Sequence, residues 1–131
     1  MLPKTLSILR KFGKRPMTGR DFVELCRLNG IVVKLTDECE RGFYYFTQGK
    51  HHIALSTKLS LEERRLVGWH EFAHFLQNFE ARKTFVAFSN VQPNEASEKL
   101  ADVFSLIATR PDVIRVTGPI DFIKQVMRTK L

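Results

Sequence analysis

Hydrophobic positions change their spacing several times along the chain, and each change marks an element. Residues 1–17, MLPKTLSILRKFGKRPM, mix a short apolar patch with basic residues and two prolines. That reads as a basic N-terminal arm or a short helix over Thr5–Phe12. From Thr18 onward Phe22, Leu25 and Cys26 fall at helical spacing. Thr18 with Asp21 three residues on forms a capping box, and Gly30 supplies a stop. Ile31–Leu35 is short and β-branched, which predicts a strand. The aromatic run Gly42–Thr47 and the segment His52–Leu55 flank Gln48-Gly49-Lys50, which predicts a hairpin.

Ser60-Leu61-Glu62-Glu63 repeats the capping-box pattern and opens a helix through about Phe79. Residues 80–92 read as a loop, with a short extended piece at Thr84–Phe88. Pro93 and Asn94 open a third helix that Arg110-Pro111 stops. A last helix runs from about Pro119 to Arg128 within a C-terminal stretch, 119–131. Helix, small sheet, then helices is an α+β order. The expected fold is a three-stranded, mostly antiparallel sheet packed on three to four helices, forming one domain over 18–131.

The length, 131 residues, fits one compact domain with a core of its own. Hydrophobic residues at 44% and charged residues at 27% argue against intrinsic disorder. No apolar run approaches the roughly 18–20 residues of a membrane span. No apolar stretch with a small-residue cleavage site is visible at the start. Cys26 and Cys39 are far apart and form no C-x-x-C pair, which suits a reducing compartment. The expected location is therefore cytoplasmic. Cys26 on its apolar stripe and most of the eleven phenylalanines read as core.

The formal charge of +7 and pI near 9.7 invite a nucleic-acid reading. Its distribution argues otherwise. Residues 1–20 carry six basic residues and no acid, residues 110–131 carry five basic and two acidic, and the middle, 21–109, is net −2. The basicity belongs to the ends, and no recognisable reading helix accompanies it. It fits a docking feature for an acidic or nucleic-acid-bound protein partner better than direct DNA binding.

The second capped helix carries Trp69-His70-Glu71-Phe72-Ala73-His74, an H-E-x-x-H pattern. Positions i and i+4 share a helical face, so His70 and His74 can both aim a ring nitrogen at one ion. Zinc suits imidazole and a tetrahedral site with an open position. Glu71 projects beside that face, where it can handle a water without ligating the metal. A catalytic zinc takes a third protein ligand, and the third helix offers Glu95, Glu98 and Asp102. Glu98 and Asp102 are four apart on one face. Glu98 reads as the ligand, and Asp102 as the acceptor for a ligand histidine's other N–H. Glu95 is a fallback ligand; alone, it reads as an acid favoured at a helix start.

With these residues in place, the sequence resembles the ImmA/IrrE family of zincin-like metallopeptidases over about residues 20–111. The resemblance rests on Gly42–Leu55, on Ser60-Leu-Glu-Glu-Arg-Arg-Leu-Val-Gly-Trp-His-Glu-Phe-Ala-His, on Glu98-Lys-Leu-Ala101-Asp102-Val-Phe104, and on Pro111. It implies a zincin-like fold and one Zn²⁺ per chain, with His70, His74 and Glu98 as ligands and Glu71 as catalytic acid/base. It further implies a protein substrate, since relatives act on transcriptional repressors, often encoded beside them in mobile elements or stress operons. A helix-turn-helix repressor encoded nearby is the expected partner. Phe72-Ala73 stands where many relatives carry Leu-Gly, and Gln77-Asn78 where they often carry another histidine. Both differences bear on substrate choice.

An oxyanion formed during peptide hydrolysis needs a donor beyond the ion. Tyr44, Tyr45, His51 and His52 of the hairpin are the candidates, and the sequence does not choose among them. A non-catalytic zincin-fold module, regulatory or antitoxin-like, is the alternative function. It has no need of Glu71.

Overall fold

The structure is a computed structural model that describes residues 2–79 and 94–129. Helix α1, Pro3–Leu9, starts on a proline, whose missing N–H costs nothing at a first helical position. Helix α2, Gly19–Leu28, is closed at its start by Thr18. The Thr18 hydroxyl accepts from the Asp21 amide at 3.1 Å, and the Asp21 carboxylate accepts from the Thr18 amide at 2.9 Å. Phe22, Leu25 and Cys26 form its buried stripe. Three strands follow: β1 Ile31–Thr36, β2 Gly42–Thr47 and β3 Lys50–Ser56.

The hairpin β2–β3 closes on two residues, Gln48 and Gly49, with φ of 50° and 74°. Two positive values in a row are what a tight turn matched to strand twist requires. The sheet order is β1-β3-β2, with β1 parallel and β2 antiparallel to β3. The sheet is thus evenly mixed, which corrects the expectation of a mostly antiparallel one. The reason lies in β3, whose Ile53, Ala54, Leu55 and Ser56 are buried in succession. A strand apolar on both faces belongs in the middle, so β1 pairs with β3 and not with its sequence neighbour β2.

Helix α3, Leu61–Gln77, carries its own reciprocal cap between Ser60 and Glu63. Its first turns are exposed, whereas from Val67 onward nearly every residue is buried. Gly42 lets β2 approach this helix: a Cβ there would lie 2.7 Å from the Ala54 carbonyl oxygen and 2.8 Å from Val67 Cγ1. Helix α4, Glu95–Thr109, starts at Asn94, whose Oδ1 accepts from the Ser97 amide at 2.8 Å. Helix α5, Pro119–Arg128, adds Ile123 and Val126 to the core. The expected helix ends shift by a few residues: α1 stops at Leu9 and α3 at Gln77. The expected loop at 80–92, its extended piece at Thr84–Phe88, and Pro93 lie outside the described residues.

The core runs between α3, α4 and the sheet. Phe104 of α4 stacks on Phe12 with centroids 4.7 Å apart, and Trp69 meets Phe22 edge-on at 5.4 Å. Leu9, Phe12 and Met17 are fully buried in the same cluster. The segment that reads as an arm or a short helix thus forms α1 and packs into the common core, with its lysines and arginines left outside. Among the described residues no helix is long and apolar enough to cross a membrane.

Candidate metal centre

The centre forms where the buried half of α3 meets the first turns of α4. On α3 the four-residue spacing places His70 and His74 with their Nε2 atoms 3.1 Å apart. On α4 Glu98 faces both, with Oε2 3.2 Å from His70 Nε2 and Oε1 2.8 Å from His74 Nε2. One ligand atom from each of the three lies within 4.8 Å of the others, so this group can hold a metal ion. A tetrahedral ion with ligands near 2.0–2.1 Å spaces its donors about 3.3 Å apart, close to these distances.

The protons around the histidines sharpen the case. Gln77 Nε2 donates to the Ser97 carbonyl at 2.8 Å, which fixes the orientation of its amide. Gln77 Oε1 therefore faces His74 Nδ1 at 2.7 Å, and that nitrogen must be the donor. His70 Nδ1 lies 2.8 Å from Asp102 Oδ1 and is likewise the donor. Each neutral imidazole then presents a lone pair at Nε2. In these neutral forms two lone pairs and a carboxylate converge, an arrangement that a cation reconciles.

Glu71 lies beside this set. Its carboxylate is 4.0 Å from His70 Nε2 and the residue is only 7% exposed. Burial, then the negative charge of Glu98, pushes its pKa up to about 8, against the pull of the Tyr44 backbone amide and Arg41. His74 is held below the ordinary imidazole range, first by burial.

Glu95 is not brought to the group. It is exposed and pairs with Lys99 at 3.4 Å, one turn along α4. The hairpin candidates divide by strand face. Tyr44 and His51 share the face toward α3, joined by a 2.8 Å hydrogen bond, and both rings contact Phe75. Tyr45 and His52 stack on each other at 4.5 Å on the opposite face, away from the ligand histidines. The period of two along β2 and β3 makes this division, which a list of polar residues does not reveal.

Sequence reasoning passed over Gln77 as His74's partner. Its signal was there: Gln77 stands three residues past His74 on the same helix, within reach of its ring. Arg41, on the connection before β2, was also missed, and it acts on Glu71 only through charge. Comparison with protein-family models, curated proteins and solved structures finds no match for the chain, so the site's own chemistry carries the reading of its function.

Proposed function

We propose that the chain is a zinc-dependent endopeptidase that hydrolyses a peptide bond in a specific protein partner. A transcriptional repressor or comparable regulator is the expected partner class, as the resemblance to the ImmA/IrrE family implies. The observation that carries the reading is the convergence of His70, His74 and Glu98, with both Nδ1 protons tied to Asp102 and Gln77 and a buried carboxyl alongside.

Zinc held by these three residues supplies Lewis acidity, polarising a carbonyl and acidifying water. Glu71 accepts the proton of the attacking water and returns it to the leaving amine nitrogen. Glu71 is buried beside the ligand set, where a bound cation would favour its charged, proton-accepting form. Asp102 and Gln77 hold the two imidazoles in the ligating tautomer. Strand β2 stands at the sheet edge, and its Tyr44 amide meets Glu71. An extended substrate laid along that edge brings its backbone to the cluster.

Protein prepared with supplemented zinc is expected to hold about one ion per chain by elemental analysis. His70→Ala or Glu98→Ala lowers that occupancy. Glu71→Gln keeps the metal and loses cleavage of a co-incubated helix-turn-helix repressor encoded beside it. Metal-free protein after zinc supplementation overturns the metal assignment, and normal processing by Glu71→Gln overturns the role of Glu71.

A further inference from the structure

The excess positive charge resides in two segments far apart in sequence, and the fold brings them together. The chain leaving α1 and the chain joining α4 to α5 form the walls of a cleft of about 460 Å³. Lys14 and Pro16 stand on one wall, Pro111, Asp112, Arg115 and Val116 on the other. That volume lies within the range of built ligand sites.

The cleft is anchored on both sides. Beneath the first wall Phe12 stacks on Phe104 and Phe122. The Met17 amide donates to the Ala108 carbonyl at 2.7 Å, tying the first wall to the carbonyl end of α4. Met17's own carbonyl accepts from Arg65 at 2.8 Å. Gly13, at φ 81°, lies so close to Pro119 that a Cβ would sit 3.0 Å from its ring. Walls held in this way bind without a large ordering cost.

Its lining carries two basic residues, Lys14 and Arg115, against one acid, Asp112. Residues 2–20 carry six basic residues and no acid, and residues 110–129 carry four basic and two acidic. The lining acid Asp112 pairs with Arg110 at 3.4 Å, and Asp21 pairs with Arg15 at 3.3 Å. Lys14 and Arg115 make no ion pair among the described residues. Apart from these three charged residues the lining is Gly13, Pro16, Pro111 and Val116, with no aromatic ring on which a base could stack. Val113 and Ile120 extend the apolar surface nearby, 63% and 40% exposed.

We propose that this cleft docks an acidic segment of the protein partner, one that places carboxylates on Lys14 and Arg115 and apolar side chains on the prolines and Val116. The proposal rests on the peptidase reading for its partner and adds a second contact. Glu98 and Thr109, at the cleft end of α4, are roughly 16 Å apart along the helix axis, so the docked segment is separate from the bond to be cut.

The test uses the full chain and a short fluorescein-labelled peptide of Glu, Asp and Leu, read by anisotropy and by backbone amide shifts. The peptide is expected to shift Gly13, Lys14, Asp112 and Arg115. The double variant Lys14→Glu/Arg115→Glu, altered only at exposed side chains, is expected to weaken binding about tenfold or more while retaining its melting temperature and zinc. Binding persists in Glu71→Gln and after chelation, so failure of the peptidase reading leaves this result intact. Amide shifts confined to other surfaces, or unchanged affinity in the double variant, overturn the proposal. So does a short DNA duplex that binds more tightly than the peptide and loses affinity in the same variant.

Discussion

Glu71→Gln offers a test of the buried carboxyl that requires no substrate. The side chain is 7% exposed, and burial with the charge of Glu98 raises its pKa from 4.5 to about 8. In the unfolded chain the carboxyl ionises near 4.5, in the folded chain near 8. Between those values the folded state binds the extra proton, so stability falls as pH rises. The contribution is complete below the unfolded pKa and lost above the folded one. Each pH unit inside the window is worth at most about 1.4 kcal/mol, so the interval from pH 5 to 8 spans at most about 4 kcal/mol. Glutamine keeps the shape and cannot titrate. In urea unfolding of the chelated protein, wild type is expected to lose stability relative to Glu71→Gln by about 2–4 kcal/mol across that interval. Taking the difference between the two proteins cancels the contributions of groups remote from residue 71. Saturating zinc at the neighbouring ligand set would favour its charged form and is expected to narrow the gap. Parallel curves for the two metal-free proteins refute the reasoning, because they require a hydrated carboxyl with an ordinary pKa.

Gln77→Leu removes the acceptor for His74 Nδ1 and the donor to the Ser97 carbonyl together. A loss of zinc affinity of about 10–100-fold is expected by competition with a chromophoric chelator, in a protein that remains folded by circular dichroism. Phe104→Ala empties a fully buried position that contacts Phe12, Trp69 and Phe72. Its cost is expected at about 3–5 kcal/mol in urea unfolding.

Local rules were enough for most elements. The caps at Thr18 and Ser60 are spelled out within four residues, and both form reciprocally in the structure. The hairpin turn is equally local. Strand pairing was not legible in the same way, because it depends on which strand is buried on both faces. Ile53-Ala54-Leu55 is too short a run to announce that role by its period. The N-terminal segment was legible as a short helix, but where it packs was not. Its lysines and arginines dominate the composition, whereas three residues spaced along it, Leu9, Phe12 and Met17, decide where it lies.

The candidate site shows the same division between local and distant information. The spacing of His70 and His74, and of Glu98 and Asp102, is a property of single helices, so each pair could be placed on one face from sequence. That α4 presents its pair to α3 is a tertiary fact, secured by Ala101, Phe104 and Ala108 packing under Phe72 and Trp69. Burial ties that packing to the chemistry. The second half of α3 is enclosed nearly all round, and this enclosure both drives the aromatic core and strips water from Glu71. A carboxyl on the exposed first turns of the same helix, such as Glu63, shows the contrast: its cap to Ser60 holds its pKa below the usual range. The same residue type on one helix is thus a stabilising cap at one end and a buried carboxyl with a raised pKa at the other. Depth in the core, more than the motif letters, makes that difference.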